Sequence, residues 1–301
     1  VWGTGTALTR IEWTVPRGAP IRAALVQGAV PQSMKWAADQ RAHTMQLYAD
    51  LMVPHLGADV IVWPESAIPA LEANVRPYLA QMSALANESG SSLLMGLLRR
   101  DAATGSYYNS VAGWALDQPV QWYDKRRLVP FGEFFPVPQA VREWLRLMNL
   151  PYSDFQPGRA DPAPLRAAGE TFAPTVCYED AYGSEQLGLV RQSSLLVNVT
   201  NDAWFGDSTA PHQHLDISRM RALESGRAML RATNDGVTAL IGHDGALLGT
   251  LPQFQPGVLT GEVQPRTGLT PYARCGNWPI LAVLWLGVAV IVVSYRRSIR
   301  R

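Results

Sequence analysis

Pro174-Thr175-Val176-Cys177-Tyr178-Glu179-Asp180 is an apolar run that turns abruptly acidic, the pattern of a buried strand that delivers a thiol at its exit. Two other stretches have the same shape. Asp59-Val60-Ile61-Val62-Trp63-Pro64-Glu65 is a β-branched run ending in a carboxylate, and Val120-Gln121-Trp122-Tyr123-Asp124-Lys125 is a shorter run ending in an ammonium. Together they offer a nucleophile, a base and a cation. A thiol with a pKa of about 8.5 is only a few per cent thiolate at neutral pH, so a nucleophilic cysteine needs a base or a positive charge beside it. Glu65 is the candidate base. A carbonyl attacked by sulfur develops negative charge on oxygen, which Lys125 and the N–H of Tyr178 could hold. Each residue alone also has a plain structural account: a core cysteine, a Pro-Glu turn, a solvated Lys-Arg-Arg face.

Between these segments, strand-like runs alternate with helical periodicity, which indicates a layered α/β domain. Strands are expected at 21–27, 60–63, 93–98 and 195–199, and hairpins around 116–119 and His243-Asp244-Gly245. Helices are expected near 37–55, 71–88, 182–191 and 211–232. The segment 141–148, Val-Arg-Glu-Trp-Leu-Arg-Leu-Met, is amphipathic and reads either as a surface helix or as a lid that meets lipid.

The combination of residues goes further than any one of them. Trp63-Pro64-Glu65, a lysine 60 residues later and Cys177-Tyr178-Glu179 another 52 further on resemble the Glu-Lys-Cys arrangement of the nitrilase, or carbon-nitrogen hydrolase, superfamily. Gln27-Gly28, Pro31-Gln32-Ser33-Met34-Lys35-Trp36, Tyr123-Asp124-Lys125, Leu128-Val129-Pro130-Phe131-Gly132-Glu133 and Asn201-Asp202-Ala203-Trp204-Phe205-Gly206 narrow the resemblance to its membrane-bound branch, the apolipoprotein N-acyltransferases. Arg127 departs from the pattern, since a histidine is common at that place.

The resemblance implies an α-β-β-α sandwich followed by one C-terminal transmembrane helix. It implies Glu65, Lys125 and Cys177 as the catalytic set, Glu133 and Glu179 as supporting carboxylates, and Trp36 and Trp204 as residues lining the substrate site. The implied reaction moves an acyl chain from a phospholipid donor, through a thioester on Cys177, to the α-amine of a diacylated lipoprotein acceptor, with no cofactor and no metal. A membrane-anchored nitrilase-type amidase is the alternative, since the same triad serves it; a noncatalytic scaffold and a thiol redox protein are the remaining rivals. The redox reading lacks a resolving cysteine near Cys177 in sequence.

Composition fits this picture. The chain has 301 residues and is 47% hydrophobic, enough for a full core. Its net charge of +1 hides an asymmetry, because Arg296, Arg297, Arg300 and Arg301 supply four of the 26 basic residues and the other 22 face 25 acidic ones. Nothing resembles a nucleic-acid-binding surface. Residues 276–295 form a 20-residue stretch without a charge, about 30 Å as a helix, which is the reading of a membrane span. The arginines after it belong in the cytoplasm, so the preceding domain is expected on the outer, periplasmic side of a bacterial inner membrane.

The chain opens on Val1-Trp2-Gly3 rather than on methionine and is expected to follow an N-terminal bundle of membrane helices. The expected organisation is a membrane-proximal linker over 1–20, a catalytic domain over 21–265, a linker over 266–275, the span at 276–295 and a basic tail over 296–301. A disulfide between Cys177 and Cys275 is rejected, since oxidation would consume the proposed nucleophile. A metal site on His212, His214 and Asp216 is rejected too, because side chains two apart on a helix diverge.

Overall fold

The computed structural model describes residues 11–37, 39–116, 118–134, 136 and 155–299. The amphipathic segment 141–148 lies outside these residues. Two six-stranded sheets carry the fold. The first contains β2 (Ile21–Gln27), β3 (Val60–Trp63), β4 (Ser92–Arg100), β5 (Tyr107–Trp114), β6 (Gln121–Asp124) and β13 (Gly257–Val263), in the order β13-β2-β3-β4-β5-β6. The second contains β7 (Leu165–Ala167), β8 (Glu170–Val176), β9 (Leu195–Thr200), β10 (Met229–Thr233), β11 (Ala239–Ile241) and β12 (Leu247–Thr250), in the order β12-β11-β10-β9-β8-β7. In each sheet the three central strands are parallel, β2-β3-β4 and β8-β9-β10, and the flanking pairs are antiparallel.

Central strands buried on both faces need continuous apolar runs, and β2 and β3 have them. Leu25, Val62, Leu94 and Val111 of the first sheet meet Phe172, Val176, Val197 and Leu230 of the second in one core between the sheets. The alternate residues Ala24, Val26, Ile61, Trp63 and Met95 point the other way. They pack on the buried faces of two helices, α2 (Arg41–Met52) through Tyr48 and Met52, and α3 (Arg76–Glu88) through Leu79, Met82 and Ala86. Helices α4 (Gly183–Val190) and α5 (Ala210–Ser225) supply Leu187, Leu189, Val190, Leu215 and Ala222 against the second sheet. The layers are therefore α-β-β-α. A single short helical turn, α1 (Gln32–Lys35), precedes α2.

The sequence pattern predicts one helix over 211–232, and the molecule divides that stretch into α5 and strand β10. Gly226 adopts φ 64° and caps α5, a left-handed conformation that glycine takes without steric cost. Freed by that turn, Met229–Thr233 pairs parallel with Leu196–Thr200. The segments expected as linkers also carry structure: β1 (Thr14–Pro16) pairs antiparallel with β14 (Arg266–Gly268), and α6 (Pro271–Cys275) buries Ala273 and packs beside α4 and α5. After it, α7 (Trp278–Ile299) is a 22-residue helix with no buried residue. It is long and apolar enough to cross a membrane and continues through Arg296 and Arg297.

Candidate active site

Parallel strands of one sheet end on one side of it, and here both sheets bring their polar residues to such ends. Glu65 follows β3, Lys125 follows β6, Cys177 follows β8, and Asn201 and Asp202 follow β9. The loops that carry them are strained in a consistent way. Ala29, Ser66, Phe131 and Cys177 all have φ between 47° and 62°, a region that residues with a Cβ seldom occupy.

Glu65 is 7% exposed and each of its oxygens is held: Asn109 Nδ2 donates to Oε1 at 2.7 Å, and the Asn201 N–H donates to Oε2 at 2.9 Å. Lys125 is buried, with Nζ 3.5 Å from Glu65 Oε1 and 3.0 Å from Glu133 Oε1. Burial opposes the charge on Lys125. The two carboxylates outweigh it and hold the ammonium protonated well above the ordinary lysine range. Asn109 Nδ2 also reaches Glu133 Oε1 at 2.8 Å, so one amide group ties both carboxylates that face the lysine. Glu133 in turn accepts the Val129 N–H at 2.8 Å, closing its own loop around Lys125.

Cys177 is half-buried against the core, and it is a free thiol, as is Cys275. Burial, and then the charge of Glu65, push its pKa up to about 12, against the pull of Lys125. The resting cysteine is thus a thiol, with the Lys125 ammonium already charged. Glu179 is fully buried and takes no part in that trio directly. Its Oε2 accepts from Val176 N at 2.8 Å, while Oε1 accepts from Arg126 N at 2.7 Å and Arg127 N at 3.1 Å. It therefore ties the strand that carries Cys177 to the loop that carries Lys125. The Tyr178 ring lies 5.6 Å from Lys125 Nζ, and its hydroxyl donates to Leu128 O at 2.7 Å.

The two predicted tryptophans differ from each other. Trp36 is half-buried against the small cluster of Leu98, Leu128 and Phe155. Trp204 is 72% exposed, on a single 3-10 turn after β9, with Phe205 also exposed. Arg127, the departure from the motif, pairs with Glu185 and lies over the Tyr182 ring at the surface.

Sequence reasoning missed Asn109, in the interior of β5, where an asparagine in a strand carries no motif. It also missed Lys35. That lysine is fully buried and donates to the main-chain carbonyl of Glu65 at 3.2 Å, and burial lowers its pKa to about 8 against the pull of Glu65 and Asp235. Its place inside the Pro31–Trp36 motif was the available signal. His214 does not sit with Asp216. It faces Asp202 at 2.9 Å and Asp180 at 3.1 Å, both fully buried.

A two-sheet sandwich faced by helices, with a carboxylate, a lysine and a cysteine at its strand exits, is an architecture of the nitrilase class. Residues 22–272 match the carbon-nitrogen hydrolase family, and the chain belongs to it. Among curated proteins it is 45% identical over 296 residues to the apolipoprotein N-acyltransferase of Azotobacter vinelandii, covering 96% of this chain and 57% of that protein. It is 43% identical over 293 residues to the apolipoprotein N-acyltransferase of Methylococcus capsulatus, covering 97% and 58%. The chain thus spans somewhat more than half the length of these relatives. Among solved structures, a carbon-nitrogen hydrolase superfamily protein of Xanthomonas campestris superimposes with a TM-score of 0.61 at 19% identity, over 86% of this chain and 94% of that one.

Proposed function

We propose that this chain carries the catalytic domain of a phospholipid-dependent N-acyltransferase that acylates the N-terminal diacylglyceryl-cysteine of bacterial lipoproteins. The observation that supports the chemistry is that Glu65, Lys125 and Cys177 follow β3, β6 and β8, with Lys125 held cationic between two carboxylates and both Glu65 and Lys125 acting on the thiol. The names of the curated relatives supply the substrate class.

In the first half-reaction Glu65 takes the thiol proton as sulfur attacks the ester carbonyl of the phospholipid. Lys125 and the Tyr178 N–H stabilise the oxyanion. As the carbon-oxygen bond breaks, Glu65 returns its proton to the departing lysophospholipid, leaving a thioester on Cys177. In the second half-reaction the neutral α-amine attacks that thioester and yields its proton to Glu65. Collapse forms the amide, and the thiolate recovers the proton. Glu133, Glu179 and Asn109 position Lys125 and Glu65. Trp36 and Trp204 line the approach of the acyl chains.

The domain works on the periplasmic side of the inner membrane, anchored by α7. A site at membrane level spares a 16-carbon acyl chain a cost on the order of 12 kcal/mol, at about 0.8 kcal/mol per methylene, for entering water. An amidase would share every step up to the acyl-enzyme and then admit water. Phospholipid alone is therefore expected to release about one lysophospholipid per enzyme, followed by a stall. A diacylated lipopeptide with a free α-amine should discharge the acyl-enzyme to a triacylated product, and its N-acetylated form should not. Continuous release of fatty acid without the amine would overturn the transferase in favour of a hydrolase.

A further inference from the structure

Behind Cys177, and separate from the Glu65-Lys125 pair, lies a buried polar network that the reaction scheme leaves unused. Arg231 donates to Asn198 Oδ1 at 2.7 Å, to Ser218 Oγ at 2.9 Å and to Asp202 Oδ2 at 2.9 Å. His214 faces Asp202 through Nδ1, and its Nε2 is shared between Asp180 Oδ1 at 3.1 Å and the main-chain carbonyl of Cys177 at 3.3 Å. Asn198 Nδ2 reaches the same carbonyl at 3.1 Å, and also Thr175 Oγ1 at 2.9 Å. The orientation of the Asn198 amide follows from Arg231, which can only donate and so fixes the oxygen on its own side.

The carbonyl matters because of the peptide it belongs to. The chain has no cis peptide bond among the described residues, and in a trans peptide the C=O of one residue and the N–H of the next point in opposite directions. Two donors that draw the Cys177 carbonyl toward β9 and α5 therefore turn the Tyr178 N–H the other way, out of the network. No acceptor takes that N–H among the described residues. Cys177 sits at φ 54° at the head of a 3-10 turn over Cys177–Ala181, and the two side-chain donors add to that turn in holding this peptide. His214, flanked by Asp180 and Asp202, keeps its proton up to about pH 9 despite burial and the charge of Arg231, so that both ring nitrogens donate.

We infer that Asn198 and His214 are positioning residues for acyl transfer, which aim the Tyr178 N–H at the developing oxyanion by gripping the carbonyl of Cys177. This rests on the thioester reading above and adds residues that never touch the substrate. An oxyanion forms when an ester acylates Cys177 and does not form when a haloacetamide alkylates it, so the two reactions separate aim from mere integrity of the thiol. Asn198→Asp is nearly isosteric and keeps the Arg231 contact, but replaces the donor facing the Cys177 carbonyl with an acceptor.

The test uses the purified protein in detergent, with p-nitrophenyl butyrate for the acylation burst and iodoacetamide, mapped to Cys177 by mass spectrometry, for alkylation. Asn198→Asp should slow acylation by about 10²-fold, the scale of one lost oxyanion donor, and leave alkylation within about threefold. His214→Gln, which retains a donor, should acylate at least tenfold faster than His214→Met, with alkylation alike in both. If Asn198→Asp fails to fold, the His214 pair makes the same comparison. Acylation and alkylation falling together, or neither falling, would overturn the inference. A wild-type protein that forms no acyl-enzyme on Cys177 would instead remove the reading beneath it.

Discussion

At the scale of single residues, the site divides its labour by environment. Cys177 is kept a thiol by burial and by the charge of Glu65, whereas Lys125 is kept charged by Glu65 and Glu133. Raising the pKa of an acid lowers its thiolate fraction at neutral pH and moves the gain to alkaline solution. Iodoacetamide alkylation of Cys177 should therefore keep accelerating from about pH 9 to 11, where an ordinary thiol of pKa about 8.5 has levelled off; a plateau by pH 9 would contradict it. Lys125→Met should slow acylation by at least about 10²-fold through loss of the fixed charge, and Glu65→Gln by a similar factor through loss of the proton carrier. A change below tenfold, about 1.4 kcal/mol, would remove the residue from its role. Asn109→Leu should cost at least tenfold as well, because two carboxylates lose their shared donor. Thermal melting of that variant separates misplacement from unfolding.

Elements set where these side chains can be. Gly96 of β4 runs against the Glu65 turn so closely that a Cβ there would stand 2.4 Å from Pro64 O and 2.5 Å from Glu65 Cα, both backbone atoms that cannot step aside. Gly96→Ala should therefore push the Glu65 turn away from Lys125. Acylation is expected to fall more than tenfold together with a lower melting temperature, and an unchanged rate would mean that the turn yields freely. Strand exits were legible in the sequence because an apolar run ending in a polar residue is a one-dimensional signal, and Glu65, Lys125 and Cys177 do follow β3, β6 and β8. Asn109 was not, since a polar residue inside a buried strand announces itself only when its partner, distant in sequence, is known, and Lys35 was marked only by its motif and not by its burial against Glu65. The break between α5 and β10 escaped for a related reason. Met229–Thr233 is apolar enough to extend a helix or to form a strand, and the parallel partner β9 decides in favour of the strand.

At the scale of the whole molecule, this sandwich leads into a helix on which none of the described residues packs. A helix of 22 residues is about 33 Å long, sufficient for a hydrocarbon layer of about 30 Å, and every residue of α7 lies unburied. Trp278 opens it, and Tyr295, Arg296 and Arg297 stand near its far end, and the proposed topology puts that basic end in the cytoplasm. Because α6 is built into the core and leads directly into α7, the sandwich must lie at the Trp278 end. The arginines then decide which compartment that is. In a Cys275→Ala background, with intact spheroplasts and a membrane-impermeant maleimide, a cysteine placed at the exposed Ala103 should be labelled from outside, and one placed at Ser298 should react only after lysis. The reverse pattern would put the thiol and its Glu65-Lys125 partners in the cytoplasm. Lipoprotein amines on the outer face could not then reach Cys177, and the acceptor proposed for this site would be excluded along with the proposed topology.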